Sequence, residues 1–406
     1  MNRSMVFHIL GKVMVAEGLL MLPAVFVGLI YGEYSALSFL PTVFLLPAVG
    51  FAASRKHPAD TGIYAGDGFV IVAASWLLMS LFGAVPFSLA DLIGGTSFFP
   101  TFADSFFEIA SGFSTTGASV LSSPESLPHC LLFWRSFSHW IGGMGVLVFL
   151  LAVVPLSEDR SLHIMRAEVP GPIVGKLLPR MKDTAFILYS VYAGLTLLLI
   201  VLLWAGGMPL FDSVCHAFGT AGTGGFSVKD AGIAFYDSVY TDVVISVFML
   251  LFGVNFNLFY FILIGKAKAV FANEELKWYL GIIAFSTLTI ALHILPLYDG
   301  FFPSLRYSFF QVTSIITTTG YATADFARLF PQYARHLLVL LMAVGACAGS
   351  TGGGLKIGRV LILLKSAFAE LKHQLHPRSI PTDRLEGKVI DAATIHSTAV
   401  YFVMYS

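Results

Sequence analysis

The amino-acid sequence predicts an all-α polytopic membrane protein in which one helical unit is repeated. Of its 406 residues, 56% are hydrophobic and only 12% are charged. A soluble domain is roughly 25% charged on average, so the bilayer must solvate much of this chain. Apolar runs of about 20 residues, the length that crosses a hydrocarbon core, recur along the sequence. Three pentads rich in threonine and glycine lie at the same register between these runs.

Eight apolar runs are predicted to span the membrane, and the start of a ninth follows near Val389. The eight cover residues 6–30, 35–53, 69–90, 130–154, 184–205, 241–264, 278–297 and 336–364. The first two runs form a hairpin that contains no pentad. Each later pair of runs encloses one pentad, so the third to eighth runs predict three copies of one unit.

Each pentad follows a short apolar stretch with the length of a re-entrant helix. Its glycine lies twelve residues after a serine in all three copies: Ser105 with Gly117, Ser213 with Gly225, and Ser308 with Gly320. The apolar residues between them predict short helices over 106–113, 214–218 and 309–316. The pentads are residues 114–118 (Ser-Thr-Thr-Gly-Ala), 222–226 (Gly-Thr-Gly-Gly-Phe) and 317–321 (Thr-Thr-Thr-Gly-Tyr).

Such loops are suited to bind a dehydrated monovalent cation. Rings of backbone carbonyls replace the water shell of K⁺ in potassium channels, and glycine allows successive carbonyls to point the same way. Threonine adds a hydroxyl ligand, and the C-terminal end of each short helix brings partial negative charge. The pentads contain no carboxylate, which argues against a divalent ion. The predicted K⁺ filter residues are Thr115, Thr116, Gly117, Thr223, Gly224, Gly225, Thr318, Thr319 and Gly320.

Close helix packing is the alternative explanation, because small residues are common where transmembrane helices meet. Three pentads at one register favour the filter interpretation. The predicted fold is therefore a pseudo-fourfold repeat of transmembrane helix, re-entrant pore helix, filter loop and transmembrane helix, preceded by an N-terminal transmembrane hairpin. The predicted parts are the hairpin 1–66, repeat 1 at 67–156, repeat 2 at 183–265, repeat 3 at 277–365 with a broken last helix, and the start of a truncated repeat 4 at 389–406.

The eighth span contains a glycine run that cannot form a stable helix. Five of the ten residues 345–354 are glycine. An interrupted span is expected only where it is buried in protein or lines a cavity, so we interpret the run as a gate beneath the filter. Tight contact between helices is the alternative, but it does not explain a run of this length. The predicted gate residues are Gly345, Ala346, Cys347, Ala348, Gly349, Ser350, Thr351, Gly352, Gly353, Gly354 and Lys356.

Three acidic residues near the pentads have two possible roles. Asp104 and Asp212 directly precede the aligned serines, where they either attract cations at the outer mouth or interact with the positive end of each short helix. Glu108 lies inside the first short helix, and an acid within a membrane segment is a functional candidate. Glu108 could also hydrogen-bond the back of its own filter.

Charge distribution sets the predicted orientation. Fifteen Lys and Arg residues fall in one set of linkers and five in the opposite set, and the richer set is cytoplasmic by the positive-inside rule. The N-terminus is therefore predicted to be cytoplasmic, with the three pentads entering from outside. A formal net charge of zero argues against a nucleic-acid partner. Three cysteines without metal-ligand spacing argue against a zinc site or a disulfide framework.

Four stretches resemble the TrkH subfamily of Trk/Ktr/HKT potassium transporters: 102–117 (FADSFFEIASGFSTTG), 224–227 (GGFS), 317–321 (TTTGY) and 347–354 (CAGSTGGG). The resemblance covers essentially the whole chain. It implies four pseudo-repeated units around one ion path, a glycine at each filter in potassium-preferring members, and an intramembrane gating loop. It further implies a homodimer in the bacterial inner membrane, and a cytoplasmic nucleotide-binding subunit of TrkA type as regulator. The family's fourth filter would lie beyond Ser406, so we expect a C-terminal continuation.

Three classes of function are compatible with a polytopic protein of this kind. The sequence favours channel-like K⁺ uptake, with K⁺ as the transported ion and no organic cofactor. A symporter that couples K⁺ to H⁺ or Na⁺ is the alternative, because broken helices occur in both classes. A membrane enzyme is not expected, since the sequence contains no Ser/His/Asp set, no HExxH motif and no P-loop.

Overall fold

A computed structural model of the chain describes residues 2–55, 58, 64–145, 181–376, 384–385 and 388–405, whose regular structure is almost entirely helical. These residues form two compact units, one up to Asp237 and the other from Ser238 onwards. Five helical segments of the described residues are long and apolar enough to span a membrane: Arg3–Tyr31, Tyr34–Ser54, Gly66–Gly94, Thr184–Ala205 and Glu274–Leu297. The prediction of an all-α polytopic membrane protein is therefore confirmed.

The first unit begins with the predicted helical hairpin. It consists of α1 (Arg3–Leu20), α2 (Leu22–Tyr31), a 3₁₀ turn (Tyr34–Phe39) and α3 (Leu40–Ser54). Helix α1 packs against α3, and their backbones meet at Gly11 and Gly50. A Cβ atom on Gly50 would overlap the carbonyl oxygen of Gly11, so this contact requires glycine.

The first short helix lies between two longer elements of the same unit. The chain continues through α4 (Ala65–Gly83), α5 (Val85–Gly94), α6 (Phe102–Phe113) and α7 (His129–Gly143). Helix α6 begins at a capping box, in which Thr101 and Asp104 each accept a hydrogen bond from the other's backbone N–H. Such a cap satisfies two N–H groups that a helix start otherwise leaves without partners. Asp104 therefore interacts with the start of its short helix, which is one of the two roles predicted for it.

Helix α7 supports both pentads of the first unit. The chain continues through α8 (Met181–Ala205) and a second short helix, α9 (Leu210–Ala221). Helix α7 packs against both short helices, α6 and α9. Its start is held by Glu33, whose carboxylate accepts hydrogen bonds from the N–H groups of His129 at 2.7 Å and Cys130 at 3.0 Å. Burial opposes the charge of Glu33, but the hydrogen bonds from Cys130 and His129 outweigh it and lower its pKa.

The second unit surrounds its own short helix with three others. Its elements are α10 (Val239–Phe252), α11 (Phe256–Leu263), α12 (Ala267–Ala272), α13 (Glu274–Ile294), α14 (Phe301–Ile316), α15 (Phe326–Leu329), α16 (Gln332–Val344), α17 (Ile357–Leu375), β1 (Arg384–Leu385), β2 (Lys388–Val389) and α18 (Ala392–Tyr405). The short helix α14 packs against α10, α13 and α16. Strands β1 and β2 form an antiparallel pair, with Arg384 opposite Val389.

Two predicted spans differ from the structure. The run 241–264 was predicted as one helix, but α10 and α11 are separated by a break and bent by 93°. The run 336–364 is interrupted as predicted, and its helices extend from Gln332 to Leu375. The three short helices begin earlier than predicted, at Phe102, Leu210 and Phe301. The end of the fourth predicted span, residues 146–154, lies outside the described residues, and the repeat boundaries stay predictions.

The contact between α1 and α3 predicts opposite effects for two Gly→Ala substitutions. Gly50→Ala should lower the free energy of unfolding by about 1–3 kcal/mol, because the added methyl group overpacks a backbone contact. Gly194→Ala in α8 has open space around it and should raise the free energy by about 0.5–1 kcal/mol, since alanine favours helix. Unfolding of the detergent-solubilised protein measures both. Equal effects of the two changes would contradict the close approach of α1 and α3.

Candidate functional site

The three pentads adopt the same backbone conformation. Their second residues are left-handed, with φ of +54° at Thr115, +53° at Thr223 and +59° at Thr318. Their fourth residues, all glycines, are also left-handed, with φ of +74° at Gly117, +78° at Gly225 and +86° at Gly320. The first residue of each pentad keeps helical dihedral angles and ends its short helix. The same turn therefore occurs three times along the chain, as the spacing predicted.

In each pentad, the N–H groups of the second and third residues donate hydrogen bonds to carbonyls of the preceding short helix. The second residues donate to the helix at 3.0–3.1 Å: Thr115 to Gly112, Thr223 to Thr220, and Thr318 to Ile315. The third residues donate at 2.9 Å: Thr116 to Ser111, Gly224 to Gly219, and Thr319 to Ser314. The N–H and C=O of a trans peptide point in opposite directions. The carbonyls of the first two residues in each pentad are therefore directed away from the helix.

The threonines at the second position are strained. A left-handed conformation is unfavourable for a β-branched residue and costs about 1–3 kcal/mol at each site. Such a conformation persists only where surrounding contacts impose it, and strained residues of this kind cluster at functional sites. Finding it at Thr115, Thr223 and Thr318 marks these loops, out of all the described residues, as the leading candidate site.

In the first unit, the two pentads, which are the predicted filter loops, lie in contact and α7 touches both. A Cβ atom on Gly117 would overlap the carbonyl oxygen of Gly224. A Cβ atom on Gly142 of α7 would overlap the carbonyl oxygen of Phe113, just before the first loop. The ring of His139, also in α7, lies against Gly224 and is stacked on Phe226 at 4.0 Å between centroids. The close packing of backbone on backbone leaves no room for side chains at these glycines.

A buried ion pair lies behind these two loops. The Nε of Arg135 is 2.6 Å from an Oε1 of Glu108, and both side chains are almost fully buried. Glu108 accepts hydrogen bonds from the hydroxyl of Ser119 and the N–H of Val120, both at 2.9 Å. Glu108 therefore bonds the segment behind its own filter, one of its two predicted roles. Its pairing with Arg135 was not predicted.

In the second unit, the glycine run lies directly against the third filter loop. The N–H of Gly353 donates to the Oγ1 of Thr318 at 2.7 Å. A Cβ atom on Gly352 would lie 3.0 Å from the carbonyl oxygen of Thr317. Residues 345–356 are non-helical between α16 and α17, with left-handed φ at Gly345, Gly349 and Gly354. The structure thus places the predicted gate residues next to the third filter loop.

The glycine run is also bonded to the break between α10 and α11. The N–H of Cys347 donates to the carbonyl of Gly253 at 3.1 Å, and the N–H of Phe256 donates to the carbonyl of Gly349 at 3.0 Å. The hydroxyl of Thr351 donates to the carbonyl of Phe252 at 3.1 Å. Each broken span therefore supplies hydrogen-bond partners for the other.

Two charged side chains, Glu275 and Lys356, also bond the run. A single carboxylate oxygen of Glu275 accepts the N–H groups of Ala348 and Gly358, each at 2.8 Å. Lys356 is 1% exposed and donates its Nζ to the carbonyl of Gly352. Lys356 therefore bonds the glycine run itself.

Three contributors to this arrangement were not predicted from the sequence. Arg135 was counted only as a positive charge of an outer loop, Glu275 preceded the predicted seventh span, and the break near Gly253 lay inside an apolar run. The pair Glu274–Glu275 after Asn273 indicates a helix start, but nothing local to it points to residues 73 positions away. The described residues also contain no group of three or more His, Cys, Asp or Glu that could hold a metal ion.

Comparison with known proteins identifies relatives over most of the chain. A profile of the family described as "TrkH: Cation transport protein" matches residues 38–298 and 302–405. The Trk system potassium uptake protein TrkH of Salmonella typhimurium is 34% identical over 401 residues, covering 97% of this chain and 81% of that protein. The Trk system potassium uptake protein TrkG of Escherichia coli is 34% identical over 416 residues, covering 100% and 84%. The crystal structure of the potassium transporter TrkH from Vibrio parahaemolyticus matches with a TM-score of 0.87 and 30% identity, covering 99% of this chain and 83% of that one.

The contacts of Glu275 predict how the glycine run responds to its loss. Glu275→Ala should speed amide hydrogen exchange at Ala348 and Gly358 about 10- to 100-fold, because each loses a charge-assisted hydrogen bond. The control is Glu274→Ala, which removes a neighbouring carboxylate paired with Lys365 at the surface. Mass spectrometry of peptides covering residues 345–358 measures the exchange. Unchanged exchange in Glu275→Ala, or equal acceleration in both variants, would show that Glu275 does not hold the run.

Proposed function

Because this chain belongs to the TrkH family of cation transport proteins, we propose that it takes up potassium ions across the inner membrane of a bacterium. Its relatives in Salmonella and Escherichia are named potassium uptake proteins. One observation of this chain carries the proposal: the same left-handed turn, with its N–H groups returned to a short helix, occurs at Thr115, Thr223 and Thr318. Such a turn supplies neutral carbonyl oxygens to a cation.

In this proposal the filter binds K⁺ through backbone oxygens. Of the proposed filter residues, the second of each pentad has its carbonyl directed away from the short helix, and the third and fourth residues complete the loop. Neutral carbonyl dipoles suit a monovalent ion, which pays less for losing its water than a divalent ion does. The proposed filter residues remain Thr115, Thr116, Gly117, Thr223, Gly224, Gly225, Thr318, Thr319 and Gly320.

The glycine run is the proposed gate. Its contacts with Thr317 and Thr318 support a position beneath the third filter loop. Its five glycines impose little resistance to a change of backbone conformation, since glycine is compatible with many φ and ψ values. The hydrogen bonds to Gly253 and Glu275 support a closed arrangement that opens when they separate.

Orientation, assembly and regulation also belong to the proposal. The distribution of Lys and Arg supports a cytoplasmic N-terminus. The resemblance to TrkH proteins supports a homodimer and a cytoplasmic nucleotide-binding subunit of TrkA type. Coupling of K⁺ to H⁺ or Na⁺ is the alternative mechanism. Uptake that follows the K⁺ gradient and the voltage alone supports a channel, whereas uptake that follows an imposed H⁺ or Na⁺ gradient supports a symporter.

Uptake of Rb⁺ or K⁺ tests the proposed function directly. The product of the complete gene that carries this sequence is expressed in cells that lack their own potassium systems. We expect saturable Rb⁺ uptake and growth at low K⁺. A protein that reaches the membrane folded but transports neither ion would overturn the proposal.

The third filter glycine predicts a loss of selectivity. Gly320→Ser should lower the ratio of K⁺ to Na⁺ uptake, because a side chain at φ +86° strains the turn that directs the carbonyls. Gly265→Ser is the matched control, since Gly265 has φ of +75° and open space but lies in the turn between α11 and α12. Isotope uptake measures both ratios. A K⁺ to Na⁺ ratio that Gly320→Ser leaves unchanged would count against the filter assignment.

The gate assignment predicts an increase in flux. Deleting residues 349–353 should raise the rate of Rb⁺ uptake, because it removes the segment that lies against the third filter loop. Glu275→Ala tests the same idea with the chain length intact and should raise the rate as well, whereas Glu274→Ala should not. Uptake rates normalised to the amount of folded protein provide the measurement. Unchanged or lost flux in folded Glu275→Ala and deletion proteins would rule out the gating role.

A further inference from the structure

The chain segments that follow the first and second filter loops are joined at equivalent positions. Ser119 lies two residues after Gly117, and Ser227 lies two residues after Gly225. Glu108 accepts from the hydroxyl of Ser119, and the Nη1 of Arg135 donates to the carbonyl of Ser227 at 3.0 Å. Since Glu108 and Arg135 form an ion pair at 2.6 Å, one continuous chain of polar contacts links the two loops.

The guanidinium of Arg135 is fixed on a second side as well. Its central carbon lies 3.5 Å from the centroid of the Phe226 ring, the last residue of the second pentad. A guanidinium over an aromatic face gains from the ring's quadrupole, and more so where both groups are removed from water. Arg135 is 2% exposed. Its planar group is therefore held between a carboxylate, a carbonyl and a ring, which fixes its orientation as well as its position.

The pore helix position that carries Glu108 has a polar residue in every repeat. Glu108, His216 and Gln311 each lie three residues after the aligned serine. Each of them contacts the segment behind its own filter loop: Glu108 the Ser119 hydroxyl and the Val120 N–H, His216 the Ser227 hydroxyl at 3.1 Å, and Gln311 the Ala324 carbonyl at 3.4 Å. In each repeat, a side chain about one turn after the aligned serine thus holds the outgoing segment. Among these three residues, only Glu108 carries a charge and pairs with an arginine.

We propose that Glu108 and Arg135 are positioning residues that fix the first two filter loops relative to each other, and that K⁺ selectivity depends on this pair. The inference rests on the proposed function, in which these loops bind the ion. Replacing a buried ion pair by apolar residues is often neutral or stabilising, so stability alone gives little reason to bury one here. The directed hydrogen bonds of the ion pair fix the positions of the groups that they join. The contact between Gly117 and Gly224 shows that the backbones of the two loops are closely packed.

A carbonyl filter discriminates ions through the number and spacing of its oxygens. Loss of the charge on Glu108 would weaken its hydrogen bonds to Ser119 and Val120 and leave Arg135 without its counter-ion. The loops would then be free to separate by fractions of an ångström. Because Na⁺ is smaller than K⁺, loops that are held less rigidly should bind Na⁺ more readily. The total rate of cation uptake should change much less. Selectivity, and not total flux, is therefore the quantity that reports this role.

The test is the ratio of Rb⁺ to Na⁺ uptake in Glu108→Gln, which keeps the shape of the side chain. We expect the ratio to fall about tenfold or more, the size of effect given by lost charge-assisted hydrogen bonds, while the maximal rate of cation uptake stays within about twofold. The control is Asp230→Asn. Asp230 joins the same two segments by accepting from Ser123 at 2.8 Å, but this contact is exposed. The control should leave the ratio unchanged.

A milder variant decides the outcome if Glu108→Gln does not fold. Ser119→Ala leaves the ion pair intact and removes one donor to Glu108, so the ratio should fall about twofold to tenfold. An unchanged ratio in folded Glu108→Gln, or in Ser119→Ala where Glu108→Gln cannot be recovered, overturns the inference. An equal fall in Asp230→Asn would do the same, because any contact between the segments would then suffice. A wild-type protein that does not take up Rb⁺, or does not prefer it to Na⁺, would instead overturn the proposed function.

Discussion

A backbone N–H group at membrane depth has no water to bond, so each non-helical segment of this chain must find its acceptors within the protein. The pentads do so locally, because their N–H groups return to carbonyls of the preceding turn, as from Thr116 to Ser111. The glycine run does so at a distance, using Gly253, Glu275 and Thr318. A pentad is therefore fixed by its own helix, whereas the glycine run is fixed only while several other elements stay in place. The more easily displaced segment is the one proposed as the gate.

Threonine at a left-handed position is explained by what its side chain contacts. Glycine would adopt this conformation without strain, yet all three pentads have threonine there. The hydroxyl of Thr318 accepts from Gly353, which joins filter and glycine run, and the methyl of Thr115 lies against Gly142 of α7. These contacts offset part of the strain and make the loop conformation depend on its neighbours. Glycine at the same position would keep the turn but lose this dependence.

The sequence predicted the features that are local and repeated. The serine-to-glycine spacing located all three turns, and the glycine content of residues 345–354 located the interruption of the eighth span, because both depend on intrinsic backbone preferences. Apolar composition could not reveal the 93° bend near Gly253, since the acceptors and donors that compensate for the break come from residues about 100 positions later. The Glu108–Arg135 pair was missed for the same reason. The number of Lys and Arg residues in a loop predicts the side of the membrane on which the loop lies. It does not predict which of these residues is buried in the protein.

Each unit has a buried carboxylate that accepts hydrogen bonds from the backbone, near the first two pentads in one unit and at the glycine run in the other. Glu108 accepts from a hydroxyl, a backbone N–H and Arg135, while Glu275 accepts from the N–H groups of Ala348 and Gly358. A carboxylate whose oxygens are occupied by protein donors is a poor ligand for a passing cation. Glu108, whose two oxygens both accept from protein donors, therefore stabilises the backbone around it, and Oε1 of Glu275 does the same for the glycine run. In the proposed function the ion is left to neutral carbonyls. A weakly held monovalent ion is released again from such a site, as conduction requires, whereas exposed carboxylates at the same depth would retain a divalent one.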